Sequence, residues 1–155
     1  GGIRYWELAT DFLGLVEAAC GELVKHENAW VVVGDKATIE EYASVTRWSD
    51  HSIGVPLLFN FFHGIELILK GFVGLQGKVP HHHKLTGLLA DLDAAYPGTE
   101  LGAVIARHTS DLTPGSPLGC FFASNGLAID DWYEALKYPE SKGGQRHDHL
   151  DPKYG

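Results

Sequence analysis

The sequence has no methionine, only two cysteines, and a shortage of positive charge: 12 Lys and Arg stand against 20 Asp and Glu in 155 residues, a formal charge of −8 with histidine neutral. Each shortage excludes something. A face that binds duplex nucleic acid through its phosphates carries a basic surplus, so a nucleic-acid role here requires a local pocket. Cys20 and Cys120 lie far apart in apolar company and read as buried small hydrophobes with reduced thiols, not as a disulfide framework; that fits a cytoplasmic protein. No apolar run approaches the roughly 20 residues that span a bilayer, so no membrane helix is expected. The opening Gly1-Gly2-Ile3-Arg4 lacks the basic-then-apolar pattern of a secretory signal. The missing initiator suggests an excised segment, with Gly1-Gly2 as a tag remnant and room for further chain beyond Gly155.

Familiar catalytic signatures are missing as well. The sequence holds no Gly-x-Ser-x-Gly elbow, no P-loop and no Gly-x-Gly-x-x-Gly opening a helix after a strand. It holds no Cys-x-x-Cys or His-Glu-x-x-His, the spacings that would bring zinc ligands together. No cofactor is implied. No internal repeat, heptad seam or alternating strand series is visible.

What remains is an ordinary globular composition, 45% hydrophobic and 21% charged, at a length that suits one domain. Residues 5–26 read as an amphipathic helix. Leu8, Phe12, Leu15, Val16, Ala19 and Leu23 recur at three- and four-residue steps, with Glu7, Asp11, Glu22 and Lys25 opposite. The β-branched run at 29–33 has no strand partner and reads as an extended connector. Capping residues at 35–38 introduce a short helix over 39–47. Residues 49–52 offer several N-caps, and Pro56 suits a first helical turn. The stretch that follows, LLFNFFHGIELILKGFVGL, is too long and too apolar for a strand and reads as a buried central helix over about 56–75. Its glycines, Gly64, Gly71 and Gly74, cost helix propensity of about 1 kcal/mol each, which close packing must offset. Gly77 to Pro80 breaks this helix. Further helices are expected over 83–95, 99–108 and 127–137, with a loop over 112–119 and a polar tail over 141–155. The fold class is all-α: an up-and-down bundle of four to five helices around the central one, in a single domain over 1–140.

Within the central helix His63, Glu66 and Lys70 sit at i, i+3 and i+7, on one stripe. Glu66 precedes Lys70 by four residues, the favourable order for an intrahelical ion pair. Polar groups in so apolar a helix need partners, so the stripe is either a satisfied structural network or a polar pocket or partner surface. Nine histidines are present, three of them consecutive at His81, His82 and His83. Successive side chains on a helix diverge, so the three cannot serve one ion together. With His63, His147 and His149 they leave open a mixed histidine–metal site.

These residues, in this order, resemble the HEPN family of prokaryotic helical domains. Its members carry His-x-x-Glu-x-x-x-Lys in one long helix, then a break with proline, then a His-polar-Leu helix opening. His63, Glu66 and Lys70 match the first motif, Pro80 the break, and His83-Lys84-Leu85 the second motif. Trp132 to Pro139 (WYEALKYP) is similar to the family's aromatic–Arg-Tyr-Pro segment, with Lys137 in place of arginine. The resemblance spans about residues 50–140. It implies a helical bundle that dimerises, a connection to nucleotides and RNA, and a place in toxin–antitoxin or defence pairs with a small nucleotidyltransferase-type partner. It also implies ligand- or partner-binding roles for His63, Glu66, Lys70, His83 and Lys84.

A catalytic branch of that family cleaves RNA without metal, through arginine and histidine four to six residues apart on paired subunits. Here Arg47 and His51 have three residues between them, and Arg146 is too close to His147 and His149. Arg47 and His51 are the catalytic candidates that remain. The sequence therefore supports a non-catalytic HEPN-like module binding nucleotide, RNA or protein. The alternatives are a metal-independent ribonuclease and a histidine–metal bundle.

Overall fold

The structure is a computed structural model; it describes residues 2–29, 37–110, 113, 115–141, 143, 144, 146 and 147. Most of the connector over 29–33, the capping position Asp35, Leu112, His149 and the end of the tail lie outside the described residues. Seven helices form among those described, against the central helix with four to five around it expected from the sequence, and no strand does. They are α1 (Gly2–Lys25), α2 (Ile39–Thr46), α3 (Asp50–Gly74), α4 (Leu85–Ala95), α5 (Glu100–Thr109), α6 (Pro117–Asn125) and α7 (Ile129–Lys137).

Most helix starts follow from local chemistry. Thr38 accepts from the Glu41 amide while the Glu41 carboxylate accepts from the Thr38 amide, a complete capping box that sets α2. Ser49 caps α3, Thr99 caps α5 and Ser116 caps α6 with Pro117 in its first turn. These caps correct two expectations. Helix α3 begins at Asp50, so Pro56 lies inside it and not at its start. A proline there lacks the N–H that would bond Ser52, a one-bond loss in a helix held by the rest of its ladder. Helix α6 takes residues 117–119 out of the expected loop, because the Ser116 hydroxyl satisfies the Gly119 amide. A third boundary moves for a tertiary reason. The helix expected from His83 begins at Leu85, since His83 is drawn away to α3. Lys84 at the N-cap supplies no side-chain cap; instead Asp130 of α7 accepts from both the Thr86 amide and hydroxyl.

Helix α1 runs antiparallel to α3, the most extensive helix contact in the molecule. Gly2 meets Gly71, Ala9 and Leu13 meet Gly64, and the Asn28 side chain accepts from the Asp50 amide at 2.7 Å. Helices α4 and α7 also pack on α3. The core joins Phe62, Ile65 and Leu69 of α3 to Leu85, Leu88 and Leu92 of α4, with Ile105, Phe122 and the Trp132–Tyr133–Leu136 face of α7. Burial of this apolar set, at about 25 cal/mol per Å2 removed from water, is the main stabilising term.

Both cysteines are free and exposed, not buried. On α6 the inward positions belong to Gly119 and Phe122, which turns Cys120 outward; Cys20 lies on the solvent side of α1. By length and composition α3 is sufficient to cross a membrane, although no unbroken apolar run in the sequence reaches that length. Its two charges in the second half, Glu66 and Lys70, are buried within the protein.

Candidate functional site

The polar stripe of α3 folds into one network. Glu66 is 2% exposed and both its carboxylate oxygens are engaged. Oε1 takes Lys70 Nζ at 2.9 Å and His83 Nδ1 at 2.7 Å. Oε2 accepts the Tyr133 hydroxyl at 2.7 Å. His63 Nδ1 lies 3.1 Å from the same hydroxyl and 3.8 Å from Oε2. Three separate segments thus converge on one carboxylate: about two turns of α3, the segment leading into α4 through His83, and the buried face of α7.

Proton counting fixes the roles. A tyrosine hydroxyl has one hydrogen, and the carboxylate is its strongest acceptor, so Tyr133 donates to Glu66. The phenol oxygen is then an acceptor, and His63 donates its Nδ1–H to it. His83 likewise donates Nδ1–H to Glu66, so its 3.3 Å approach to Lys70 Nζ brings two donors side by side around a shared acceptor. In the neutral form of either imidazole the other nitrogen, Nε2, is left as an acceptor. His63 is held further by its rings of contact, stacked on Phe59 at 5.6 Å and edge-on to Phe12 at 4.7 Å.

Burial pushes the Glu66 carboxyl up, but the contacts from His63, Lys70, Tyr133 and His83 outweigh it and hold the group well below the usual carboxylate range. Burial, the hydrogen bond to Glu66 and the charges of Glu66 and Glu134 push the Tyr133 phenol above its ordinary value. Both groups therefore keep one state through the physiological range: Glu66 ionised, Tyr133 protonated.

Over this network opens a cleft of about 1350 Å3, lined by residues of α3 and α7, by His83, and by residues 138–141 and 147. Its lining includes Phe59, His63, His83 and Tyr133 together with Asp131, Glu134, Lys137 and Glu140. The described part of the expected tail is structured here. An isolated antiparallel bridge joins Glu140 to Arg146, and Ser141 and His147 line the cleft. Lys137 sits 3.8 Å above the Tyr133 ring and 3.7 Å from Glu134.

Of the site residues read from the sequence, His63, Glu66, Lys70 and His83 come together; Lys84 is exposed at the start of α4 and outside the cleft lining. Arg47 ends α2, and His51 lies in the first turn of α3, so the two do not share a helix. Both are exposed, Arg47 lies over Trp48, and His51 is about 18 Å from His63 along the helix. The three consecutive histidines diverge as their spacing requires: His82 pairs with Asp91 at 2.9 Å, His83 with Glu66, and His81 is exposed. Among the described residues no group of three or more His, Cys, Asp or Glu is arranged to hold a metal ion.

Sequence reasoning missed Tyr133 as a member of the site. The available signal was its place on the apolar face of a short amphipathic helix, where a phenol hydroxyl needs a buried partner. No family model, curated protein or solved structure matches the chain.

Proposed function

We propose that the chain is a non-catalytic, HEPN-like binding module, with the cleft over the Glu66 network receiving a nucleotide, an RNA segment or part of a protein partner. The observation that carries this reading is the state of Glu66. Both its oxygens are engaged, by Lys70, His83 and Tyr133, which suits a carboxylate that positions its neighbours and not one that moves protons. The imidazoles it orients line an open cleft, where ring edges are recognition elements. The convergence of His63, Glu66, Lys70 and His83 also supports treating the two resemblance motifs as one unit.

The same reading takes α3 as the central helix of an up-and-down bundle and residues 1–140 as one domain. It takes the protein as cytoplasmic, dimeric and off the membrane, working beside a nucleotidyltransferase-type partner in a toxin–antitoxin or defence pair. The buried Glu66–Lys70 pair supports α3 as a core helix, because a charge pair facing lipid is costly.

Thermal-shift and calorimetric titrations with a nucleotide panel, a short RNA and a co-purified partner test the module. A saturable ligand lost in His63→Ala and His83→Ala, with helical circular dichroism retained, is the expected result. A panel with no ligand, or binding that survives both substitutions, removes the reading.

A further inference from the structure

The groups left free in the cleft share one chemical character: they accept hydrogen bonds or present electron-rich faces. In the neutral form of each ring the Nε2 atoms of His63 and His83 are acceptors, because Tyr133 and Glu66 take their Nδ1 protons. Neither Asp131 nor Glu140 has an ion-pair partner among the described residues, and Arg146, opposite Glu140 on the bridge, does not line the cleft. Among the described lining residues the lysine, Lys137, shows what the surface accepts. Lys137 lies on the Tyr133 face and beside Glu134, a cation held between an aromatic ring and a carboxylate.

We propose that this cleft recognises a basic polypeptide segment, by seating a guanidinium or alkylammonium side chain between the histidine acceptors, the aromatic wall and the unpaired carboxylates. The inference rests on the binding-module reading and narrows its ligand. A polyphosphate or RNA strand would bring negative charge to carboxylates where, among the described lining residues, the lysine is Lys137, already engaged by Glu134 and the Tyr133 ring. A guanidinium supplies five donors in a planar fork to a wall of acceptors. The volume, about 1350 Å3, exceeds the roughly 300–1,000 Å3 of small-molecule pockets, which favours an extended segment over a free amine.

Fluorescence anisotropy with a short peptide alternating arginine and glycine tests this on the full chain, beside a glutamate–glycine peptide, spermidine, ATP and a short RNA. The expected result is saturable binding of the arginine peptide alone, weakened about tenfold by Asp131→Lys/Glu140→Lys. Glu7→Lys/Asp11→Lys on α1 makes the same change in net charge away from the cleft and should alter affinity less than about twofold at physiological salt. Equal loss in both double variants would reduce the binding to bulk charge and overturn the inference. So would spermidine binding without the peptide. Binding of ATP or RNA in place of the peptide, lost in His63→Ala, would overturn the cationic ligand and leave the module standing; no binding of any probe removes both.

Discussion

Glu66 holds a charge that burial alone would not tolerate. The desolvation of a carboxylate and an ammonium costs several kcal/mol each, and what offsets it is the engagement of both carboxylate oxygens by Lys70, His83 and Tyr133. Removing both partners should then cost less than the sum of removing each alone. Glu66→Gln strands the Lys70 ammonium, whose side chain is 7% exposed, and is expected to cost about 3–5 kcal/mol. Lys70→Met should cost less, since His83 and Tyr133 still serve the carboxylate. The double variant should recover at least about 1 kcal/mol of the summed loss, read from urea midpoints at unchanged slope. The same measurements carry a pH signature. The folded pKa of Glu66 is lowered, so its stabilisation is complete above the unfolded value of about 4.3. It is lost progressively as pH falls below about 5 toward the folded value. Glu66→Gln should flatten the stability profile in that window; an unchanged acid limb would show that the carboxylate contributes nothing. Much of this site was legible in the spacing of His63, Glu66 and Lys70, because helical periodicity alone puts them on one stripe. Tyr133 was not, because it is 67 residues from its acceptor and no local rule brings the two together.

The helix pair α1–α3 turns on glycine as a packing residue. A Cβ at Gly71 would run into the Trp6 indole, and one at Gly64 would come within 2.8 Å of Leu13. The Trp6 indole N–H is buried with no hydrogen-bond partner among the described residues, so close packing is what holds that ring. By contrast Gly14 and Gly21 on α1 have nothing within 4 Å of a Cβ. Alanine should therefore act with opposite signs on the two helices. Gly71→Ala is expected to destabilise by about 1–3 kcal/mol through overpacking, while Gly14→Ala and Gly21→Ala should each stabilise by up to about 1 kcal/mol through helix propensity. Thermal melts of the three variants decide it, and a neutral Gly71→Ala would mean that α1 slides to make room. That the α3 glycines were packing positions was legible from an apolar helix that tolerates them; that α1 is the neighbour was not. The boundaries that escaped the sequence have the same cause. His83 leaves its helix for Glu66, and Asp130, from α7, supplies the cap that Lys84 lacks. A residue's local preference is overridden where a distant partner satisfies it better.

At the scale of the whole molecule, charge and distance both bear on the ribonuclease alternative. A net charge of −8 repels an RNA backbone, and the cleft adds Asp131 and Glu140, carboxylates with no ion-pair partner among the described residues, where phosphates would have to lie. Arg47 and His51 sit at the far end of α3 from the Glu66 network, on separate helices, with Arg47 directed over Trp48. A histidine that promotes attack by a ribose hydroxyl needs a fixed ring and a cation placed for the phosphate. His51 is exposed with no hydrogen-bond partner among the described residues, in contrast to His63 and His83, whose rings are both fixed by the network. Purified protein incubated with mixed RNA, with and without EDTA and beside His51→Ala, should therefore leave the RNA intact in every lane. Chelator-resistant cleavage lost in His51→Ala would reverse that conclusion. It would also require a second subunit to supply the fixed geometry that one chain lacks, making the dimer part of the site.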